Sequence, residues 1–459
     1  MKQNLIEGKV SSQLTRLTIP MIWGVFAVIA FNLIDTYFVG QLGTKPLAAM
    51  SFTFPVVMTL GSLAMGLGVG ASSVIARAIG EGDLQKVRRL TTDSLTLSLL
   101  VVALFTFLGL ATIDPLFTAL GADADVLPLI RSYMQIWYWG MICLVIPMVG
   151  NSAIRASGNT AIPSVIMTVA AFVNIALDPV LILGLGGFPR LELAGAAIAT
   201  VISRATTLVV ALWFLNNRLQ MLCFNLPKLR VILESWKKIL YVGLPAAGTS
   251  MVFPISIGVI TGLLASYGTI AVAGFGIASR IESFSQIVLM ALSASIGPFV
   301  GQNWGAKKYL RVHQALRLSF LFCLFWGVLV TVILAPTAPW LASVFNSNPE
   351  VITITVTYLL IVPISYAGSG VILVANSTFN ALGKPLPSVV MMVTRMVVLY
   401  IPLAYLGSQL FGVNGIFAAA CISNVAVGLG AYIWNQKTCN IKTVSALEKN
   451  SVSAGMGQL

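Results

Sequence analysis

Twelve stretches of this chain stay predominantly apolar for more than 20 residues, and that one feature decides most of what the chain can become. Their approximate bounds are 15–39, 48–77, 92–113, 127–153, 161–184, 193–216, 239–265, 271–299, 314–336, 352–378, 387–407 and 413–434. About 20 apolar residues in a helix cross the hydrocarbon core of a bilayer. Inside lipid every backbone N–H and C=O needs a partner within the protein, so only helices and closed barrels can span. The short alternating segments of a barrel are absent. The expected fold is therefore an all-α polytopic membrane protein with twelve transmembrane helices. Composition agrees, because 58% of residues are hydrophobic and only 9% are charged, against about 25% in soluble domains. A disordered chain needs low hydrophobicity, so that class is excluded as well. The first run is long and lacks a small-residue cleavage site, so it reads as a retained helix rather than a signal peptide.

Lys and Arg sort these spans in the membrane. The net charge of +13 would suggest nucleic acid in a soluble chain; here it reads as topology, with no nucleic-acid partner. Lys2, Lys9 and Arg16 precede span 1. Arg77, Lys86, Arg88 and Arg89 follow span 2. Arg218, Lys228, Arg230, Lys237 and Lys238 lie between spans 6 and 7. Lys307, Lys308, Arg311 and Arg317 follow span 8, and Lys437, Lys442 and Lys449 follow span 12. With twelve spans all of these share one face, and only Lys45, Arg131 and Arg190 take the other. By the positive-inside rule both termini are cytoplasmic. The five cysteines form no CxxC pair and His313 is the lone histidine, so a metal cluster or disulfide framework is not expected, and no cofactor is.

The second half of the chain echoes the first at an offset near 225 residues. Leu42-Gly43-Thr44 matches Tyr267-Gly268-Thr269, PSVIMTV from Pro163 matches PSVVMMV from Pro387, and the run from Gly195 to Ser203 matches that from Gly415 to Ser423. Gly80 pairs with Gly301 and Pro20 with Pro245. Each half holds six spans, so the halves share one topology and a pseudo-twofold axis along the membrane normal. The expected organisation is an N-lobe over 1–217, a cytoplasmic linker over 218–238, a C-lobe over 239–435 and a cytoplasmic tail over 436–459. Two like lobes suit alternating access.

Ionisable groups inside the bilayer are functional candidates by default. Asp35 lies in span 1, Asp178 in span 5, Glu282 in span 8, and Arg204, Arg280 and Arg395 in spans 6, 8 and 11. At 1.5 Å per residue, Asp35 sits roughly 30 Å above the start of span 1 and Asp178 roughly 26 Å above that of span 5. Both fall in the outer half of the N-lobe, with Asn174 one turn below Asp178. The repeat puts Ile260 and Pro402 opposite the two acids, so the pair belongs to one half alone. Two carboxylates held close together out of water favour taking up a proton or a metal cation. The alternative is structural, with Asp35 capping a broken helix and Asp178 only preceding Pro179. Arg280 either faces Asp35 or pairs with Glu282; Arg204 and Arg395 read as structural partners or snorkelling groups. Pro20, about four turns below Asp35, is a candidate hinge, set against a passive kink. The 16 methionines suit adaptable apolar walls, although most read individually as packing.

LIDTYFVGQLG (33–43), GEGD (80–83), VGQNWGAKK (300–308), RASGNTAIPSVI with NIALDPVL (155–181) and NALGKPLPSVV (380–390) together resemble the multidrug and toxic compound extrusion (MATE) transporters. The combination of Asp35 with Asn174 and Asp178 is similar to the bacterial DinF-like branch. Acidic residues in spans 7 and 10, which mark the NorM-like branch, are missing. The resemblance implies a V-shaped fold and export of amphipathic, often cationic drugs. It implies coupling to H⁺ or Na⁺ at Asp35, Asn174 and Asp178, with Asn151 and Thr200 as weaker carry-overs and Arg280 as a partner of Asp35. Were Na⁺ the ion, Asp35, Asn174 and Asp178 would be its ligands.

The expectation is a monomeric bacterial inner-membrane exporter driven by cations, H⁺ first, with span 1 bending near Pro20. A flippase for lipid-linked sugars shares the architecture but calls for a strongly cationic cleft. An intramembrane aspartyl protease would use Asp35 and Asp178, yet Asp178 sits in Leu-Asp-Pro and not in a Gly-x-Gly-Asp setting. A channel or receptor has less behind it.

Overall fold

The computed structural model describes residues 5–223 and 228–439; Lys2 and the expected tail with Lys442 and Lys449 lie outside the described residues. Among the described residues, twelve helices are long and apolar enough to cross a membrane. They are α1 (Val10–Gly40), α2 (Thr44–Glu81), α3 (Leu84–Ala119), α4 (Leu127–Ala156), α5 (Ala161–Leu183) and α6 (Glu192–Arg218) in the first half. The second half has α7 (Leu229–Ala265), α8 (Thr269–Gly305), α9 (Tyr309–Phe345), α10 (Pro349–Ala381), α11 (Pro385–Phe411) and α12 (Val413–Thr438). No strand occurs among the described residues.

Local chemistry sets the helix ends. Asp83 caps α3 by accepting from the Lys86 N–H at 2.9 Å, and Asn348 caps α10 by accepting from the Glu350 N–H at 2.9 Å, each satisfying a donor with no intrahelical partner. Gly82 closes α2 in the left-handed conformation at φ 81°, which a side chain would disfavour. Two helices are locally rewound. A 3₁₀ turn at Val362–Ser365 interrupts α10 at Pro363, and a π-helical stretch at Thr394–Tyr400 precedes Pro402 in α11. Proline cannot donate to the preceding turn and crowds it, so the backbone changes pitch there.

The chain divides into two compact units, Ile19–Ala247 and a second made of Leu5–Thr18 with the residues from Gly248 onward. In unit 1, α4 is the central helix, packed on α2, α3 and α6, while α5 lies along α6. In unit 2, α10 takes the corresponding place, packed on α8, α9 and α12. Trp23, Phe107 and Leu410, at 67%, 73% and 74% exposure, belong to an apolar exterior of the kind a bilayer covers. Lys45, Arg131 and Arg190, the bases expected on the sparse face, each pair with an acid: Asp125, Asp114 and Glu192 respectively.

The units differ from the expected lobes in two ways. The stretch 239–247 belongs to unit 1, because the first half of α7 lies on α2. A Cβ on Gly66 would stand 2.4 Å from the Gly243 carbonyl oxygen, and one on Gly70 2.3 Å from that of Ile239, so only glycine admits this approach. The segment Leu5–Thr18 belongs to unit 2, where Leu5, Val10, Leu14 and Leu17 are buried with residues of α8 and α9. Hydropathy reports that these residues are apolar but not which core receives them.

Candidate intramembrane cation site

Four helices of unit 1 bring polar groups to one depth. Asp35 lies five residues before the end of α1, Asp178 five before the end of α5, and Thr200 eight after the start of α6. At 1.5 Å per residue these are about 8, 8 and 12 Å from the same end of the unit. Packing below fixes their rotation. The Arg204 guanidinium of α6 lies over the Phe31 ring of α1 at 5.8 Å, and one turn higher the same two faces carry Thr200 and Asp35. The Ser203 hydroxyl donates to the Ala170 carbonyl at 2.6 Å, and successive turns of that face of α5 present Asn174 and Asp178. A Cβ on Gly24 of α1 would touch Ser164 of α5 at 3.0 Å, which sets the spacing between those two helices.

The result is a largely buried acidic site. Asn174 and Asp178 are fully buried. Asp35 and Asp178 are near enough to interact electrostatically, and Asp35 also acts on the buried Tyr133 of α4. Asp35 Oδ1 is buried and has no hydrogen-bond partner among the described residues. A carboxylate oxygen removed from water without a donor is costly, so it offers a place for a proton or a small cation. Two carboxylates, an amide and hydroxyls form a hard oxygen donor set.

Of the sequence candidates, Asp35, Asn174, Asp178 and Thr200 are brought to one depth. Asn151 is not, because it lies 18 residues from Tyr133 along α4, about 27 Å away. Tyr133 was missed; a tyrosine in an apolar run carries no signal of its own. Arg280 and Glu282 do not form an ion pair among the described residues. They are two residues apart on α8, and such neighbours do not face each other. Glu282 instead accepts a hydrogen bond from the Tyr358 hydroxyl of α10. Nearby, Arg395 donates to Asn424 Oδ1 at 2.7 Å and Asn424 Nδ2 to Ser365 Oγ at 2.9 Å. This net ties the π stretch of α11 to the 3₁₀ turn of α10. Neither Arg204 nor Arg280 pairs with a carboxylate among the described residues. Pro20 lies within α1.

Comparison with known proteins bears on the same features. The MatE family model matches residues 20–180 and again 245–406, the two halves that the internal echo delimits. A protein of Shewanella oneidensis named FAD transporter is 39% identical over 449 residues, covering 97% of this chain and 99% of its own. The probable multidrug resistance protein YoeA of Bacillus subtilis is 27% identical, covering 86% and 88%. Among solved structures, the Vibrio cholerae MATE transporter VcmN in the bent form aligns at a TM-score of 0.89 with 31% identity, covering 95% of this chain and 98% of that one.

Proposed function

Because the chain belongs to the MATE family of membrane transporters, we propose that it is a cation-coupled exporter whose coupling site is the Asp35/Asp178 group of unit 1. Family membership and twelve spanning helices make it a multi-pass membrane protein, and a transporter rather than an enzyme, which removes the aspartyl-protease alternative. The observation that carries the coupling reading is the buried, unpartnered Asp35 Oδ1 beside a second carboxylate. The outward-open protein takes a cation there. Charge repulsion between the acids falls, α1 yields near Pro20, cargo leaves, and the protein turns inward to release the cation. Cation and cargo must favour different states, or no coupling exists. Asp35 Oδ1, which lacks a donor among the described residues, takes up a proton with no further ligand, so H⁺ is the first ion and Na⁺, held by Asp35, Asn174 and Asp178, the second. The three matching residues, Asp35, Asn174 and Asp178, support a reading of the chain as a member of the DinF-like branch. We take its place to be the bacterial inner membrane, as a monomer with cytoplasmic termini.

For cargo, the full-length relative at 39% identity favours flavin adenine dinucleotide. Its pyrophosphate needs a cationic partner, and Arg280 is an intramembrane arginine that pairs with no carboxylate among the described residues. Amphipathic drugs are the second reading, supported by the resistance protein YoeA at 27% identity. The test is transport in proteoliposomes under separately imposed pH and Na⁺ gradients, with the flavin dinucleotide and a fluorescent cationic dye as cargoes. Native protein moves cargo under one gradient and Asp35→Asn does not. Unchanged driven transport in Asp35→Asn would remove the coupling site from this account.

A further inference from the structure

Two helices change unit along their length. α1 is continuous over Val10–Gly40, yet its residues to Thr18 pack with unit 2 and those from Ile19 with unit 1. α7 is continuous over Leu229–Ala265, yet its residues to Ala247 pack with unit 1 and those from Gly248 with unit 2. Pro20 lies just past the first crossing and Pro245 just before the second, and these prolines are equivalent in the internal repeat. At the first crossing Thr18 Oγ1 is buried without a hydrogen-bond partner.

Below each crossing the foot of the helix is seated in polar side chains. The Leu5 N–H donates to Gln302 Oε1 at 3.2 Å, and Asn303 Nδ2 donates to the Leu5 carbonyl at 3.2 Å. Lys308 Nζ reaches the Ile6 carbonyl at 3.0 Å. Arg311 donates to the carbonyls of Leu5 at 3.1 Å, Glu7 at 3.1 Å and Gly8 at 2.6 Å, and its Nε to Asn303 Oδ1 at 2.9 Å. The Leu5 side chain is buried in the core of unit 2. In unit 1, Arg88 Nε donates to the Gln220 carbonyl and the Cys223 N–H to Thr92 Oγ1, both at 2.9 Å. Trp236 Nε1 donates to the Asp93 carbonyl at 3.0 Å, and Met221 is fully buried. Arg88 and Arg311 occupy the same place in the two halves, each near the start of the third helix.

We propose that these seats are permanent anchors and that Gln302, Asn303, Lys308 and Arg311 are positioning residues for coupling. They hold the foot of α1 on unit 2 throughout the transport cycle, as the Asp93 carbonyl, accepting from Trp236, holds the foot of α7 on unit 1. Movement of one unit against the other is then taken up by α1 between Thr18 and Pro20 and by α7 between Pro245 and Gly248. The upper part of α1 carries that bend to Asp35, about 22 Å further along at 1.5 Å per residue. This step rests on Asp35 being the coupling group. A seat that let go would release the strain at the foot and leave Asp35 unmoved. The cradle is built against release, since its charged donors converge on consecutive carbonyls and its apolar plug is Leu5.

The test follows the seat itself as well as transport. Leu5→Cys is exposed to a hydrophilic maleimide, and labelling at that position is read by peptide mass spectrometry, at rest and during driven export of flavin adenine dinucleotide or the cationic dye. Position 5 is expected to react slowly in both conditions. In Arg311→Gln/Asn303→Ala it reacts at least about tenfold faster, and driven transport falls at least about tenfold while cargo affinity holds within about twofold. A merely structural role would lower affinity and folded yield together. Rapid labelling of position 5 during native turnover overturns the proposal, as does full transport in a double variant whose position 5 is open. Because labelling is read apart from transport, failure of the Asp35 reading is told apart: Asp35→Asn then exports normally while position 5 stays protected.

Discussion

At the scale of single residues, the two intramembrane aspartates and the intramembrane Arg280 are the groups whose charge is expected to matter most. Asp35→Asn and Asp178→Asn are each expected to abolish gradient-driven transport, a loss of at least about tenfold, while cargo still binds; transport and binding assays on the same preparation separate the two. Arg280→Gln is expected to raise the half-saturating concentration of the flavin dinucleotide by about tenfold or more, since a hydrogen bond to a charged group is worth about 1.5–3 kcal/mol. The cationic dye should be unaffected or improved. Equal effects on both cargoes would argue against a pyrophosphate partner. The two aspartates were legible in the sequence because a carboxylate in an apolar run has few bland explanations. Tyr133 was not, since tyrosine is at home in a membrane helix, and neither was the use of Glu282 by Tyr358, which depends on how α8 and α10 are rotated.

At the scale of helices, number and order could be read directly, because backbone satisfaction in lipid leaves helix length as the one free variable. Packing depends on details that hydropathy averages away. Gly66 and Gly70 matter only because α7 crosses there. Gly70→Ala should destabilise the protein by about 1–3 kcal/mol through overpacking, seen as a lower melting temperature in detergent. Gly61→Ala, with nothing within 4 Å of the added carbon, serves as the tolerant control. Pro20→Ala restores an N–H to α1 and stiffens it beside the crossing. Driven turnover should slow severalfold with cargo affinity retained, and an unchanged turnover rate would assign the bend elsewhere. The rewound stretches of α10 and α11 had only Pro363 and Pro402 as signals, and proline alone does not say whether a helix kinks, tightens or widens.

At the scale of the whole chain, the duplication was legible from five ordered matches, and the family model divides the sequence in the same way. The division of α1 and α7 between the units was not, because hydropathy marks a segment as apolar without saying which core receives it. Split between Cys223 and Lys228 and expressed as two pieces, the chain should regain transport when both are made together and give no stable product from either alone. A stable, monodisperse first piece would contradict that dependence. The division also sets a timetable for synthesis. Leu5 is bonded to residues some 300 positions later in the chain. At about 5–20 residues per second, the nascent leader waits roughly 15–60 s before its acceptor leaves the ribosome. During that interval a mostly polar leader, with Leu5 and its neighbouring carbonyls still unseated, stands at the mouth of the insertion machinery. A truncated translation product would keep it there for good, a ready mark for proteolytic surveillance of unfinished copies.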